Sequence, residues 1–164
     1  MTISDEYRLI KLTLPVLEVI HYYLQDKSYM PEAGGVMIGR ENISNNHLII
    51  DHITTPLPKD KQNRTNFKRK DSGHLEYYHD LYDSNNGVYM YVGEWHTHPE
   101  RIPNYSWKDL QNWKRIQKEA ASFTPFYHLI AGIEAFRIWK HNDVNRTPLL
   151  LATIQWNQIK QFFE

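Results

Sequence analysis

The sequence predicts an α/β protein in which a mixed β-sheet is flanked by helices. Stretches rich in β-branched and aromatic residues, which are typical of strands, alternate along the chain with stretches whose apolar residues have helical spacing. Residues 126–133 are almost continuously apolar, as expected of a central strand that is buried on both faces. The chain has 164 residues, which suits a single core, so we expect one domain over residues 1–164.

Seven strands are predicted from these patterns. In chain order they cover residues 7–12, 35–40, 47–53, 88–95, 126–133, 135–140 and 148–156. Polar turn signals separate several of these strands, namely Asn45-Asn46, Asn85-Asn86-Gly87 and residues 141–147.

Three helices are predicted between the strands. The first starts at Leu14 after the candidate N-cap Thr13, the second covers residues 74–83, and the third runs from Trp107 to about Ala121. The apolar side of the first helix is predicted to contain Leu14, Leu17, Val19, Ile20 and Leu24. The second helix has an aromatic side that we expect in the core, formed by His74, Tyr77, Tyr78 and Leu81.

Composition excludes several classes of protein. Basic and acidic residues both number 19, so no net charge favours nucleic acid as a partner. The chain has no cysteine, which excludes disulfides and thiolate zinc sites, so a zinc site must use histidine and carboxylate. No signal-peptide pattern opens the sequence, and no apolar run approaches the roughly 20 residues of a membrane span. We therefore expect a soluble cytoplasmic protein without a membrane partner.

A histidine pair follows the predicted strand 88–95. Because side chains alternate along a strand, His96 and His98 share one face, with their Cα atoms roughly 6.5 Å apart. Asp109 follows near the start of the third helix. Two histidines and one carboxylate, with a fourth position open to water, suit a catalytic zinc ion.

Each part of this pattern also has a purely structural interpretation. A lone buried histidine is usually a core residue with its hydrogen bonds satisfied, and His128 in the strand 126–133 is interpreted in this way rather than as a fourth ligand. Ser106 and Asp109 have the spacing of a helix capping box. Asp109, however, shares the helical face of Trp113, Ile116 and Ala120, which turns its carboxylate toward the core, where it needs a partner.

A candidate general base lies upstream. Glu32 precedes the glycine-containing strand Gly-Gly-Val-Met-Ile-Gly, from which a carboxylate could reach the water at a metal site. Glu32, the His96-Thr97-His98 triplet, Ser106 and Asp109 together resemble the JAMM signature of the JAB/MPN metallopeptidase family, and every motif position is present. The resemblance implies the single JAB/MPN-like fold of that family.

The resemblance also implies a mechanism. Zn²⁺ would be bound by His96, His98 and Asp109. Glu32 would take a proton from water and pass it to the leaving amine, while Ser106 would donate a hydrogen bond to the oxyanion. The reaction implied is hydrolysis of an amide bond after the C-terminus of a ubiquitin-like protein, whose extended tail adds a strand to the enzyme.

Within the family, the small size and the Val-Gly-Glu-Trp-His-Thr-His-Pro stretch resemble stand-alone bacterial JAB proteins. Some of these accompany E1- and E2-like proteins in antiphage operons of the CBASS type. There they release a covalently attached cyclic-nucleotide synthase (a CD-NTase) from its target protein. This resemblance implies a deconjugating isopeptidase that acts on the C-terminal tail of a CD-NTase or ubiquitin-like protein, with E1/E2-like proteins as operon partners.

Two other functions stay open at the level of sequence. The chain could be a JAB protease of another ubiquitin-like or sulfur-carrier pathway, or a non-catalytic MPN scaffold that only binds partners. The complete set of five motif residues argues against the scaffold. Glu94 shares the strand face of His96 and His98, so it could compete as the base, form a salt bridge or orient a histidine.

Residues 61–70 (KQNRTNFKRK) are basic and contain one aromatic residue. The structural interpretation is a solvated loop. The functional interpretation is a substrate clamp with largely exposed charges, in which Arg64 and Arg69 meet carboxylates and Phe67 provides an apolar anchor. Similar stretches in bacterial JAB proteins favour the clamp.

Overall fold

The computed structural model describes residues 1–120 and 124–159. The predicted end of the third helix near Ala121 and the tail up to Glu164 lie outside these residues. In chain order the described elements are β1 (Thr2–Asp5), β2 (Arg8–Leu12), α1 (Leu14–Tyr22), β3 (Gly34–Glu41), β4 (Leu48–Ile53), β5 (Lys61–Asn63), β6 (Asn66–Lys68), α2 (Gly73–Ser84), β7 (Met90–Thr97), α3 (Trp107–Glu119), β8 (Phe126–Ala131), β9 (Ala135–His141), β10 (Leu149–Gln155) and a 3-10 helix (Trp156–Gln158).

Eight of these strands form a mixed sheet in the order β1-β2-β4-β3-β7-β8-β9-β10. The β2–β4 and β7–β8 pairs are parallel, whereas the remaining neighbours are antiparallel. The mixed sheet and the three helices confirm the predicted α/β fold class. None of the helices in the described part of the chain is long and apolar enough to cross a membrane.

The sheet places β7 between β3 and β8, near its middle. All six residues of β8 are buried, which confirms a central strand covered on both faces. The short edge strand β1 is missed by the sequence prediction, because four residues that include a serine and two other polar side chains give a weak strand pattern. Its pairing with β2 provides the missing information.

Helix α1 packs on the sheet with most of its predicted apolar side. Leu17 and Ile20 are buried, as is Leu24 just after the helix, whereas Leu14 and Val19 are only partly buried. Val16, which is outside the predicted set, is buried as well. Leu14 and Val19 lie at the two edges of the apolar stripe, where helical spacing alone does not determine burial.

Helix α2 lies on the surface, and the predicted aromatic core side is wrong. Only His74 is buried among the residues of this helix, and Tyr77 is 40% exposed. The Tyr77 hydroxyl pairs with the His52 ring at 3.0 Å, while Tyr78 packs edge-on against Tyr91. These amphipathic rings cover the sheet margin and keep their polar tips near water, which spacing alone does not distinguish from burial.

Residues 61–68 form a hairpin of strands β5 and β6 rather than a loop, with Asn63 paired to Asn66. This 61–68 hairpin stands outside the large sheet. Two glycines of β3 allow neighbouring segments to approach closely. A Cβ on Gly34 would lie 2.7 Å from the Phe67 ring of the hairpin, and a Cβ on Gly35 would lie 2.1 Å from the carbonyl oxygen of Thr54, just after β4. Side chains at either position would push these neighbours away.

Candidate metal centre and catalytic cleft

The two motif histidines lie at the end of β7, near the middle of the sheet. The ladder with β8 continues past the strand, since the His98 N–H donates to the Ala131 carbonyl at 2.9 Å. His96 and His98 share one face, and the Thr97 side chain between them is fully buried. The Nε2 atoms of the two histidines are 3.0 Å apart. The strand therefore directs two imidazoles to one point.

A third donor comes from the first turn of α3. Ser106 Oγ accepts from the Asp109 N–H at 3.2 Å, and the Ser106 N–H donates to Asp109 Oδ2 at 2.6 Å. This capping box fixes a carboxylate whose Oδ1 lies 3.3 Å from His96 Nε2 and whose Oδ2 lies 3.4 Å from His98 Nε2. The capping and the metal-ligand interpretations of Asp109 are compatible, because one side chain meets both geometries.

The spacing of these three side chains fits a four-coordinate ion. Their candidate ligand atoms lie within 4.8 Å of one another. A tetrahedral zinc with ligands at about 2.0–2.1 Å separates those ligands by about 3.3–3.4 Å, close to the distances between His96, His98 and Asp109. Two imidazoles and one carboxylate are also donors that zinc accepts, and they leave one position open.

The neighbouring histidines favour the ionised form of the Asp109 carboxylate. Burial acts to raise the pKa of Asp109, but hydrogen bonds from His96 and His98 outweigh burial and lower it. Burial acts to lower the pKa of His96, but the hydrogen bond and charge of Asp109 raise it overall. Asp109 is thus negatively charged and can bind a cation.

Glu32 lies just before β3 and is 5% exposed. Its N–H donates to the Asn63 carbonyl of the 61–68 hairpin at 2.8 Å, and its Oε1 lies 3.8 Å from His98 Nε2. That gap exceeds a hydrogen bond, so Glu32 faces the histidine pair without bonding to it. Burial raises the pKa of Glu32 to about 6, although the nearby histidine charges oppose the shift. Such a carboxyl can accept and return a proton near neutral pH.

A buried polar cluster, which the sequence does not predict, ties the start of β3 to β7. Thr97 Oγ1 accepts from the Ala33 N–H at 3.0 Å and donates to Gln25 Oε1 at 3.1 Å. The Gln25 amide donates in turn to the carbonyls of Met30 and Arg64 at 3.1 and 3.0 Å. Thr97 between the histidines is the only sequence hint of this cluster, since Gln25 belongs to no motif.

Glu94 shares the face of the histidines, as predicted, and forms a salt bridge. Its Oε1 accepts from Arg69 Nε and NH2 at 3.0 and 2.8 Å and from the Tyr91 hydroxyl at 3.2 Å. Its Oε2 accepts from Asn112 Nδ2 at 2.6 Å. Of the roles left open by the sequence, this geometry favours the salt bridge.

The three predicted substrate contacts of the 61–70 stretch differ in their surroundings. Phe67 is partly buried and lines the cleft beside Gly34. Arg64 folds back to donate to the Lys27 and Met30 carbonyls, and Arg69 pairs with Glu94. The expectation of largely exposed charges is wrong for both arginines, because planar guanidinium groups here anchor the chain.

An open cleft of about 920 Å³ joins these groups. The candidate catalytic and metal-binding side chains in its lining are Glu32, His96, His98, Ser106 and Asp109. The 61–68 hairpin and the following residues form one wall, with Phe67, Lys68 and Lys70. The start of α3 contributes Trp107, which is 72% exposed, and Lys108.

His128 lies beneath α3 and corrects another expectation. It is fully buried and stacks on Trp113 with ring centroids 4.5 Å apart and planes 5° from parallel. Neither ring nitrogen has a hydrogen-bond partner among the described residues, so the predicted satisfied histidine is wrong. Stacking on the indole, rather than hydrogen bonding, accommodates this ring.

Comparison with known proteins agrees with this geometry. The family model described as prokaryotic homologs of the JAB domain matches residues 14–142. A protein of Escherichia coli (strain TW11681) named CD-NTase/cGAS isopeptidase is 39% identical over 129 residues, covering 77% of this chain and 80% of that protein. A protein of the same name from Pseudomonas aeruginosa (strain BWHPSA011 / Pa011) is 31% identical over 135 residues, covering 82% and 84%.

A solved structure shows the same fold in a more distant protein. Protein DSY2949 from Desulfitobacterium hafniense superposes with a TM-score of 0.55 at 20% identity, covering 80% of this chain and 83% of that one. At this identity the likeness concerns the fold alone. The family match, which spans most of the chain and all five motif residues, carries the assignment: the chain belongs to the prokaryotic JAB-domain family.

Proposed function

We propose that this protein is a zinc-dependent isopeptidase that releases a protein from the C-terminal tail of a CD-NTase. The observation that carries the proposal is the convergence of four side chains at one end of the cleft. His96, His98 and Asp109 face one another at 3.0–3.4 Å, and Glu32 lies 3.8 Å from this group. Three ligands with an adjacent buried carboxylate are the parts that metal-assisted amide hydrolysis needs.

His96 and His98 would each bind Zn²⁺ through Nε2, and Asp109 would bind it through its carboxylate. When bound, zinc makes water acidic enough to ionise near neutral pH and polarises a carbonyl oxygen. The capping box holds the Asp109 carboxylate toward the histidines, and the β7–β8 ladder holds the histidines themselves. The ligand set is therefore preorganised by main-chain ladder bonds and by the backbone–side-chain bonds of the capping box.

Glu32 would move the proton. Its carboxylate accepts a proton from the attacking water, whose oxygen adds to the carbonyl carbon of the scissile amide. The protonated Glu32 then gives that proton to the amide nitrogen as the C–N bond breaks. The products are a carboxylic acid and an amine, which become a carboxylate and an ammonium group when the acid passes its proton to the amine. A pKa of about 6 supports both transfers, because the group is neither a strong acid nor a strong base at neutral pH.

Ser106 would stabilise the developing oxyanion. Its oxygen already accepts from the Asp109 N–H, which leaves the hydroxyl hydrogen available as a donor. Ser106 lines the cleft next to the candidate metal centre, where a donor can meet charge that develops on the substrate.

The substrate class rests on the relatives. The E. coli and P. aeruginosa proteins carry the name CD-NTase/cGAS isopeptidase. By this similarity, the enzyme would reverse conjugation of a CD-NTase by E1/E2-like partners in cytoplasmic antiphage defence. The exposed lysines 68 and 70, with Phe67, would seat the substrate tail along the hairpin wall.

Cleavage of a defined conjugate tests the proposal. A CD-NTase fused through its C-terminus to a fluorescent carrier protein is incubated with the zinc-loaded protein, beside a ubiquitin-like protein fused in the same way. We expect the first fusion to yield a CD-NTase that ends at its native carboxylate, as read by intact mass, and a chelator to stop the reaction. Cleavage of the ubiquitin-like fusion alone, or of neither, would contradict the proposed substrate.

A further inference from the structure

Three parts of the cleft meet at one carboxylate that the proposed mechanism does not use. Glu94 lies on β7, two residues before His96. Arg69, just after the hairpin strand β6, donates twice to its Oε1, and Asn112 of α3 donates to its Oε2 at 2.6 Å. The hairpin, the histidine strand and the ligand-bearing helix are therefore joined through a single side chain.

The positions of these partners relate them to the metal centre. Asn112 lies three residues after Asp109, so the two share a helix face one turn apart. Glu94 and His96 share a face of β7. The Glu94–Asn112 bond thus runs beside the 3.3 Å approach of Asp109 to His96 and joins the same two elements.

The environment makes these bonds stronger than ordinary surface contacts. The side chains of Arg69 and Glu94 are 20% and 12% exposed, so water and salt screen the pair only partly. Each Glu94 oxygen accepts from a different structural element, while Tyr91 holds the carboxylate from its own strand. The group is well placed to fix distances between elements rather than to exchange a proton.

We propose that Glu94 is a positioning residue with two arms. The Asn112 arm holds the first turns of α3 at the separation at which Asp109 reaches the histidines. The Arg69 arm holds the 61–68 hairpin over the cleft as a wall for the substrate. The importance of these arms for catalysis rests on the proposed function, whereas the positioning itself is a property of the fold.

Separate variants isolate the two arms. Asn112→Leu removes the helix arm, and we expect zinc affinity, measured by competition with a chromogenic chelator, to fall about tenfold while hairpin exchange stays unchanged. Arg69→Met removes the hairpin arm, and we expect backbone amide hydrogen exchange in residues 61–68 to become about tenfold faster with zinc affinity unchanged. A general loss of stability would change both readouts together.

Glu94→Gln tests the shared carboxylate. The amide replaces one acceptor oxygen by an NH2 donor that faces either the Arg69 guanidinium or the Asn112 amide. Because Asn112 Oδ1 already accepts from Arg115 at 2.7 Å, Asn112 cannot turn to meet the new donor without losing that bond. We therefore expect at least one arm to weaken and at least one readout to change. The matched control is Asp51→Asn, which removes the same charge from the 2.8 Å Arg40–Asp51 pair between β3 and β4, outside the cleft lining. We expect neither readout to change in this control.

Two results would overturn the inference. One is that Glu94→Gln and both arm variants keep the zinc affinity and hairpin exchange of the parent. The other is that the two readouts change by the same factor in every variant. Neither measurement needs a substrate, so an inactive parent would count against the proposed function alone. If the parent bound no zinc, the hairpin exchange would still decide the Arg69 arm.

Discussion

The two walls of the cleft are held in different ways. The metal wall consists of β7, β8 and α3, and its functional side chains are set by main-chain ladder bonds and a capping box. The 61–68 hairpin belongs to no large sheet and is attached through side chains, including Gln25 and Arg69, and the backbone bond from Glu32 to Asn63. On the metal wall, backbone bonds orient each functional side chain within its own element, and the Glu94–Asn112 side-chain bond joins α3 to β7. The hairpin wall depends more fully on side-chain contacts, which substitution can alter.

Replacement of both histidines on the metal wall should have the largest effect, and it should act on zinc binding and cleavage. We expect His96→Ala plus His98→Ala to abolish zinc binding and cleavage, because one carboxylate cannot retain the ion alone. The fold should persist by circular dichroism, since the β7–β8 bonds come from the backbone. Zinc at full occupancy in the double variant, measured by elemental analysis, would contradict the proposed ligand set.

The sequence predicts the convergence of His96, His98 and Asp109 for a physical reason. Strand alternation puts His96 and His98 on one face, and helix spacing turns Asp109 inward, so local rules define most of that geometry. The hairpin wall depends on contacts between distant positions. No local pattern indicates that Gln25 bonds the Arg64 carbonyl or that Arg69 meets Glu94.

The same reasoning explains the fold-level differences. The β-branched runs specify the central strands, and the mixed sheet follows from them. The partial burial of Leu14 and Val19 on α1, the exposure of α2 and the missing partners of His128 depend on neighbours from elsewhere in the chain. Amphipathic spacing contains no information on these neighbours.

The next largest effect concerns stability and the buried hydrogen bonds of Thr97 to Ala33 and Gln25. These bonds join the segment that contains Glu32 to β7. Thr97→Val should lower the free energy of unfolding by about 1–3 kcal/mol, because the buried Ala33 N–H loses its acceptor. Thr97→Ser keeps the hydroxyl and is the matched control, with a smaller loss expected. Urea unfolding measures both variants. Equal stabilities for the valine and serine variants would show that this bond does not hold the segment.

A pH effect should appear beneath α3. Burial, aided by the charges of His141 and His96, holds the pKa of His128 well below its usual range. Below about pH 6.5 the unfolded chain therefore binds the proton more readily than the folded protein, and stability should fall by about 1.4 kcal/mol per pH unit.

The measurement compares metal-free parent and His128→Phe protein by urea unfolding between pH 5 and 7. The phenyl ring retains an aromatic stack on Trp113 but cannot titrate. We expect the stability of the parent to decline more steeply toward acid than that of the variant. Parallel pH dependences would mean that His128 does not titrate on unfolding.

The smallest effect concerns the exposed part of the hairpin wall. Lys68→Glu plus Lys70→Glu should raise KM about fivefold at low salt, since exposed charges contribute about 1 kcal/mol or less. The rise should diminish as salt is added, while kcat and zinc content stay near the parent values. The control is Lys11→Glu on β2, outside the cleft lining. A lower kcat with unchanged KM would place these lysines with the chemistry.

The central claim is that Glu32 moves the proton while His96, His98 and Asp109 hold the metal. Turnover and zinc content of Glu32→Gln, measured on the same preparation, test it most directly. We predict full zinc occupancy with kcat reduced about 10²–10⁴-fold, because the amide cannot accept the proton of the attacking water. Parent-like turnover with zinc bound, or loss of zinc from this variant, would contradict the division of roles between Glu32 and the metal ligands.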